Sequence, residues 1–340
     1  MANQEQLPLL EVRGLRKWFP MSKGFFGRKT VFVKAVDGVD IDVLPGETLG
    51  IVGESGSGKT TLGRCVARLY EPTAGKITMR VDGEVLEVSA LKGKALSAFR
   101  KRAQMIFQDP YSSLNPRMNV LETVGEPLLV NKIARGKELE ERVTEMILKV
   151  GLRVEHLRRY PHSFSGGQRQ RIGIARAMVL NPRLVVADEP VSALDVSIQA
   201  QILNLLLDLQ QQYGLTYLFI SHAMNVVRYM SNRIAVMYAG KLVEMGPKQE
   251  VLSYPKHPYT EALLAAVPKF SLRKRGTRLV SRGEPPDLAN LPQGCVFAPR
   301  CAYATDRCWQ EAPQLREVEG GVFVSCHRAE SLTLKGIEVR

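Results

Sequence analysis

Residues 48–60 read TLGIVGESGSGKT, and they are the part of the sequence most informative about the fold. The apolar run Thr48–Val52 predicts a buried strand, and a helical pattern follows over Lys59–Tyr70. Between them lies a glycine-rich loop that fits the pattern G-x-x-x-x-G-K-[ST]. Glycines let such a loop wrap around phosphates with its N–H groups pointing inward, and the helix start adds its positive dipole end. The stretch therefore predicts a phosphate-binding loop.

The loop also predicts which side chains contact a nucleoside triphosphate. We expect Lys59 to reach the β- and γ-phosphates and the Thr60 hydroxyl to bind Mg²⁺. The other predicted nucleotide-binding positions of this segment are Gly53, Glu54, Ser55, Gly56, Ser57, Gly58 and Thr61. Kinases, GTPases, helicases and transporters share such loops, so the loop alone leaves these classes open.

A second apolar run ends in two carboxylates. Leu184–Ala187 predicts a strand, and Asp188 and Glu189 follow it. Asp188 can hold Mg²⁺ directly or through water, and Glu189 can act as the base that polarises an attacking water. A strand that ends in Asp-Glu could also be a surface turn. Its position downstream of the phosphate loop favours the nucleotide role.

The rest of the chain alternates between strand and helix patterns. Residues 31–53 predict a strand pair, a turn at Pro45-Gly46 and the buried strand already described. Further predicted elements are strands at Gln104–Phe107 and Tyr217–Ile220, a helix at Lys137–Val150, and a hairpin at Arg233–Gly246 with its turn at Ala239-Gly240. This alternation predicts an α/β fold with a mostly parallel sheet and covering helices.

Composition limits the function classes. The 340 residues carry a net charge of +13, and 45% of them are hydrophobic. No apolar run approaches the roughly 20 residues of a membrane-spanning helix, and the N-terminus lacks a signal-peptide pattern, so we expect a cytosolic protein. The basic run Lys269–Arg278 suits a solvated linker or a contact with membrane or subunit. No base-reading module is visible, so we expect no nucleic-acid partner.

A third motif resembles a family signature. Phe164–Gln168 reads FSGGQ, is followed by Arg169-Gln-Arg171, and is similar to the LSGGQ signature of ABC ATPases. Gln108 matches the family's Q-loop, Ser192–Asp195 its D-loop, and His222 its switch histidine. The resemblance implies a P-loop NTPase (RecA-like) core, an antiparallel β-subdomain and a helical subdomain at about residues 110–166.

The resemblance also implies a mechanism. Two ATPase domains close head to tail, so that each ATP lies between one phosphate loop and the partner's signature. It implies that Ser165, Gly166, Gly167 and Gln168 contact the nucleotide, that Thr60, Gln108 and Asp188 hold Mg²⁺, and that Glu189, His222 and Lys59 are catalytic. Ala223 and Ser163 depart from the residues usual in the family, Asp and Glu, but neither has a phosphate-binding role.

The adenine ring needs an aromatic platform N-terminal to the phosphate loop. Phe19 matches the family position best, and Trp18 is the alternative. Stacking would contribute about 0.5–1.5 kcal/mol beyond the buried area. An ordinary core aromatic residue is the other interpretation of Phe19.

Within the family, the chain most resembles the F-type ATPase subunit of dipeptide/oligopeptide importers. The resemblance rests on segments such as QDPYSSLNPRM and HPYTEALLAAVP. It implies two permease subunits, a second homologous ATPase, an extracytoplasmic binding protein and a peripheral place on the cytoplasmic face of the cell membrane. Related systems carry nickel, glutathione or oligosaccharides, and a soluble ABC ATPase without a transport role is a further alternative. We expect an ATPase domain at residues 1–254 and a C-terminal appendage at 255–340.

Four of the five cysteines lie in that appendage: Cys295, Cys301, Cys308 and Cys326. Four thiols in a cytosolic chain favour a metal over disulfides. Their spacing differs from common zinc sites and resembles the region where some members of the subfamily hold a [4Fe–4S] cluster. Zinc and free or oxidised thiols are the alternatives.

Overall fold

The computed structural model describes residues 7–23, 29–266 and 286–337, which exclude the basic run at 269–278. Its strands are β1 Leu10–Lys23, β2 Lys29–Val43, β3 Thr48–Val52, β4 Ala74–Val81, β5 Glu84–Glu87, β6 Ala103–Ile106, β7 Leu184–Asp188, β8 Thr216–Ser221, β9 Arg233–Tyr238, β10 Lys241–Pro247, β11 Arg316–Glu317 and β12 Phe323–Val324. Its helices are α1 Lys59–Val66, α2 Gly93–Arg102, α3 Val120–Val130, α4 Gly136–Lys149, α5 Gly166–Met178, α6 Val196–Tyr213, α7 Met224–Met230, α8 Lys248–Ser253, α9 Pro258–Ala265 and α10 Asp306–Gln310.

The described residues within 8–43, 48–89 and 220–337 form one compact unit. It contains an antiparallel sheet with the order β2-β1-β4-β5, which is the implied antiparallel β-subdomain. In its other sheet, β3 pairs in parallel with β9, and β10, β12 and β11 continue antiparallel from β9. All residues of β3 are buried, as its unbroken apolar run predicts.

The other unit comprises Leu7, Leu44–Glu47 and Ala90–Phe219. Strand β6 pairs in parallel with β7, and β8 lies next to β7. Helices α3 and α4 lie within residues 110–166, the predicted helical region, and both pack against α5, which follows it. Helix α4 buries the apolar side chains that its periodicity selects, Leu139, Val143, Met146 and Ile147.

Two predicted elements differ from the structure. Residues 31–43 belong to one strand, β2, whose partner is β1 rather than a second strand within the same segment. Gly38 has a φ of 77° where the β1–β2 register shifts, so the chain bulges there instead of turning. Helix α1 ends at Val66 rather than Tyr70, and Arg68 takes a φ of 54° that stops the helix.

The predicted β9–β10 hairpin is confirmed. Its turn residues, Ala239 and Gly240, have φ angles of 48° and 79°, as a two-residue type I′ turn requires.

The C-terminal residues share a core with the strands. Val296 and Phe297 belong to one cluster with Val52, Val236 and Tyr238. The division into residues 1–254 and 255–340 therefore stays a prediction. Among the helices of the described ranges, none combines the length and apolarity needed to cross a membrane.

Candidate functional site

The phosphate loop connects β3 to α1, as the sequence predicts. Lys59, the first residue of α1, is only 4% exposed. Its ammonium group donates to the carbonyl oxygens of Gly53 at 2.7 Å and of Glu54 at 2.8 Å. These two hydrogen bonds tie the start of the loop to Lys59 at its end and hold the Lys59 side chain in place.

Two glycines of the loop are required by close backbone approach. At Gly58, where φ is 102°, a Cβ atom would collide with the carbonyl oxygen of Ala35. At Gly53 it would collide with the carbonyl oxygen of Met237. Gly58 is also the N-cap of α1 and offers no side-chain cap, so the helix start presents N–H groups suited to an anion.

The two candidate adenine platforms, Trp18 and Phe19, are consecutive residues of β1. The indole N–H of Trp18 donates to the Asp37 carboxylate at 3.2 Å, and its ring lies 6.4 Å from that of Phe32. Phe19 makes an edge-to-face contact with Tyr70, with 5.6 Å between ring centroids. A directional hydrogen bond thus anchors Trp18, whereas Phe19 is held through ring contacts.

The end of β7 places the two carboxylates differently. Asp188 is 1% exposed. Glu189 takes a φ of 46°, a left-handed conformation unusual for this residue type. Its carboxylate accepts a 3.1 Å hydrogen bond from the side-chain amide of Gln108, and its carbonyl oxygen accepts one from the Ser192 hydroxyl, also at 3.1 Å. The structure thus joins the Q-loop, the catalytic candidate and the D-loop.

The signature segment forms the start of α5. Ser165 is the N-cap, and its hydroxyl accepts from the Gln168 N–H while the Gln168 side chain accepts from the Ser165 N–H. At Gly167, a Cβ atom would lie 2.5 Å from Ile198 Cγ2 of α6. The glycine therefore lets α5 and α6 approach each other closely.

His222 directly follows β8 and is exposed. Its predicted neighbours Lys59 and Thr60 belong to the same compact unit, whereas Gln108, Asp188, Glu189 and the signature belong to the other.

The four C-terminal cysteines line one small cavity. None of them forms a disulfide. Around the cavity, the N–H of Cys295 donates to the carbonyl oxygen of Cys308 at 2.7 Å, and the N–H of Arg328 contacts the Cys326 sulfur at 3.4 Å. The structure therefore brings together the thiols that the sequence grouped.

Burial raises the pKa of three of these thiols. It raises the pKa of Cys301 to about 11 and also raises those of Cys295 and Cys326 above the ordinary value. Within the residues that the structure describes, no three His, Cys, Asp or Glu side chains form a group that could hold a metal ion.

Two contacts of the phosphate loop were missed by sequence reasoning. Tyr259 and Arg300 both bind Glu54, the second residue of the loop. Each lies more than 200 positions from Glu54, and no spacing in the sequence indicates this contact. The only signal is the place of Arg300 next to Cys301 in the segment with the predicted site.

Comparisons with known proteins agree with this geometry. The family described as "ABC transporter" matches residues 36–192, and the family described as "Oligopeptide/dipeptide transporter, C-terminal region" matches residues 243–308. The oligopeptide transport ATP-binding protein AppF of Bacillus subtilis is 51% identical over 96% of this chain and 98% of its own length. The dipeptide transport ATP-binding protein DppF of Haemophilus influenzae is 47% identical over 95% and 97%.

Among solved structures, a dimeric post-hydrolysis state of the ATP-binding cassette MJ0796 bound to ADP and Pi has a TM-score of 0.61 and 28% identity. The match covers 70% of this chain and 98% of that one. The chain belongs to the ABC transporter family, as an ATP-binding subunit of the oligopeptide/dipeptide importer type, and it is an ATPase.

Proposed function

We propose that this subunit binds MgATP at its phosphate loop and hydrolyses it to drive peptide uptake through a membrane complex. The observation that carries the proposal is the loop itself, in which Lys59 is tied to the start of the loop ahead of an uncapped helix start. Such a loop presents N–H groups and one cation to a triphosphate.

The residue roles follow from the chemistry of the side chains. Lys59 neutralises phosphate charge, and Thr60 and Asp188 bind Mg²⁺ with help from Gln108. Glu189, oriented by Gln108 at 3.1 Å, polarises the attacking water, and His222 contacts the γ-phosphate. Phe19 provides the stacking surface for adenine.

The signature completes a second chain's site in this proposal. The N-cap hydroxyl of Ser165 accepts a hydrogen bond from Gln168, which leaves its own proton available to donate to a phosphate. The dimer of the similar cassette MJ0796 supports pairing of two ATPase subunits. We expect a homologous ATPase, two permeases and an extracytoplasmic binding protein as partners, with this chain at the cytoplasmic face of the membrane.

A reconstituted complex with labelled di- and oligopeptides tests the function. We expect ATP hydrolysis coupled to peptide uptake, and we expect both to be lost in Lys59→Met. Lys76→Met is the matched control, because Lys76 is a surface residue paired with Glu87 at 2.9 Å. Hydrolysis that persists in Lys59→Met would refute the role of the loop. Uptake of nickel, glutathione or an oligosaccharide without peptide uptake would change the cargo, and no association with permeases would favour a soluble ATPase.

Mixed dimers test the signature. Ser165→Arg should block hydrolysis at the site completed by that signature, because a bulky side chain replaces a small phosphate ligand. Ser97→Arg, an exposed change on α2, should leave hydrolysis intact. Full activity of Ser165→Arg would argue against head-to-tail pairing.

We also infer that the four-cysteine cavity holds a [4Fe–4S] cluster. The support is its donor set, four thiols outside any disulfide around a single cavity, which is the ligand set that such clusters use. The described thiols are not arranged as a metal site, so binding would have to draw them together. Bound there, the cluster would supply a crosslink among Cys295, Cys301, Cys308 and Cys326. Anaerobic purification should yield about four iron and four sulfide ions per chain, with loss of the visible absorbance in Cys301→Ser. Zinc alone, or no metal, would contradict the cluster.

A further inference from the structure

Glu54 is held at each of its three polar groups. Its N–H donates to the Tyr259 hydroxyl at 2.8 Å, and its carbonyl oxygen accepts from Lys59 Nζ at 2.8 Å. Its carboxylate accepts two parallel hydrogen bonds from the Arg300 guanidinium, at 2.8 and 3.0 Å. The Lys59 contact arises within the phosphate loop, whereas the Tyr259 and Arg300 contacts come from the C-terminal part of the chain.

The Arg300 contact has the geometry of a strong interaction. The Arg300 side chain is 9% exposed and that of Glu54 is 33% exposed, so water screens the pair only in part. A bidentate pair of a guanidinium and a carboxylate also fixes the orientation of both groups, which a single contact does not.

Packing and a hydrogen bond also hold Tyr259 in place. Tyr259 is fully buried, and its ring lies 4.6 Å from that of Tyr238 and 5.4 Å from that of Phe297. Its own N–H donates to His257 Nδ1 at 3.0 Å, which holds the start of α9. The ring that carries the loop-contacting hydroxyl is therefore fixed by packing.

We propose that Arg300 and Tyr259 are positioning residues that hold the phosphate loop in its nucleotide-binding conformation, so that the C-terminal region sets nucleotide affinity. This inference rests on the proposed function, because it requires the loop to bind nucleotide. Without these contacts, the first peptides of the loop would have to be ordered when the phosphates bind, and that ordering would reduce affinity.

Calorimetric titration of the full-length chain with MgADP tests the inference. We expect Arg300→Gln and Glu54→Gln each to weaken binding roughly tenfold, because each removes the same charge-assisted pair. The double variant should bind no more weakly than either single variant, since the pair is already lost. Arg300→Lys, which keeps the charge without the bidentate geometry, should recover part of the affinity.

Arg307→Gln is the matched control. Arg307 also precedes a cysteine and pairs with a glutamate, Glu311, at 2.9 Å, but it is exposed and makes no contact with the loop. Its variant should bind MgADP like the wild type. Thermal unfolding of the nucleotide-free variants separates a loop effect from a fold effect, and Tyr259→Phe provides a second variant that keeps the packed ring.

The outcomes are distinct. The inference is supported if folded Arg300→Gln or Tyr259→Phe binds MgADP more weakly than the wild type. It also requires that the effects of Arg300→Gln and Glu54→Gln do not add in the double variant. Wild-type affinity in both folded variants overturns it and leaves the proposed function intact. A wild-type chain that fails to bind MgADP overturns both.

Discussion

The side-chain amide of Gln108 donates a hydrogen bond to the carboxylate of Glu189 over 3.1 Å. The two residues follow β6 and β7, which are adjacent parallel strands, so they meet where α/β proteins bind their ligands. Glu189 also has a left-handed backbone conformation, and strain of this kind clusters at functional sites.

Glu189→Gln should bind ATP and hydrolyse it about 10²- to 10⁴-fold more slowly. The amide keeps the shape of the side chain and can still contact Gln108, but it cannot accept a proton from water. Single-turnover hydrolysis and nucleotide binding, measured on the same complex, check this expectation. Glu317→Gln, at an exposed site on β11, is the control, and wild-type turnover in Glu189→Gln would remove the catalytic assignment.

Phe19→Ala should weaken MgATP binding about threefold to tenfold, through loss of a stacked ring. Equilibrium titration with a fluorescent ATP analogue would measure the change. Phe32→Ala removes another β-strand aromatic residue and should leave affinity unchanged. If Phe19→Ala binds normally and Trp18→Ala binds weakly, the stacking role belongs to Trp18.

Gly167→Ala should destabilise the protein by about 1–3 kcal/mol, because the added methyl group meets Ile198 across the α5–α6 contact. Gly173→Ala is a control on the same helix, where a Cβ atom has nothing within 4 Å. That change should stabilise by about 0.5–1 kcal/mol through helix propensity. Thermal unfolding of the two variants should therefore shift in opposite directions, and equal shifts would contradict the packing explanation.

Glu244 predicts a pH dependence of stability. Its carboxyl group is 0% exposed, and burial raises its pKa from 4.5 to about 7, although the backbone N–H groups of Lys256 and His257 oppose the shift. Because the folded-state pKa is the higher one, the folded chain holds this proton more tightly than the unfolded chain does. Its stabilising contribution is therefore present below about pH 4.5 and is lost as the pH rises through about 7, by up to about 3 kcal/mol.

Glu244→Gln should gain thermal stability relative to the wild type as the pH increases from about 5 to about 8. The comparison with the wild type is needed because His257 titrates in the opposite sense. Burial lowers the pKa of His257 to about 3, so its contribution to stability grows as the pH rises toward 6.5. A stability difference between variant and wild type that does not change with pH would refute the Glu244 assignment.

The strands that touch the phosphate loop could be predicted from sequence because their physics is local. Thr48–Val52 is an apolar run followed by glycines, and it forms β3 within the predicted bounds. The Ala239-Gly240 turn could also be predicted, since the geometry of a two-residue hairpin restricts which residues can form the turn. The predicted phosphate-contacting residues follow strands or start helices, whereas Phe19 lies within β1 and Cys308 within α10, and the roles of all of them stay predictions.

The rest depended on contacts between distant residues. Periodicity did not reveal β1, whose pairing with β2 contains several register shifts. The binding of Arg300 to Glu54 spans 246 positions, and nothing in either local sequence specifies the other. The predicted end of α1 was wrong because the residue in the left-handed conformation is Arg68 and not a glycine, so the sequence gives no stop signal there.

Strand β12 is only two residues long, but it covers the edge of β10. It pairs with Glu244 and Met245 of β10, and Val322 beside it packs against Gly246. A chain cut after α9 would leave β10 as an edge strand and would uncover Val243, which packs in one cluster with Val296 and Phe297. Open edges recruit strands from other molecules. We therefore expect a minimal cassette made without the C-terminal residues to aggregate more readily than the full chain.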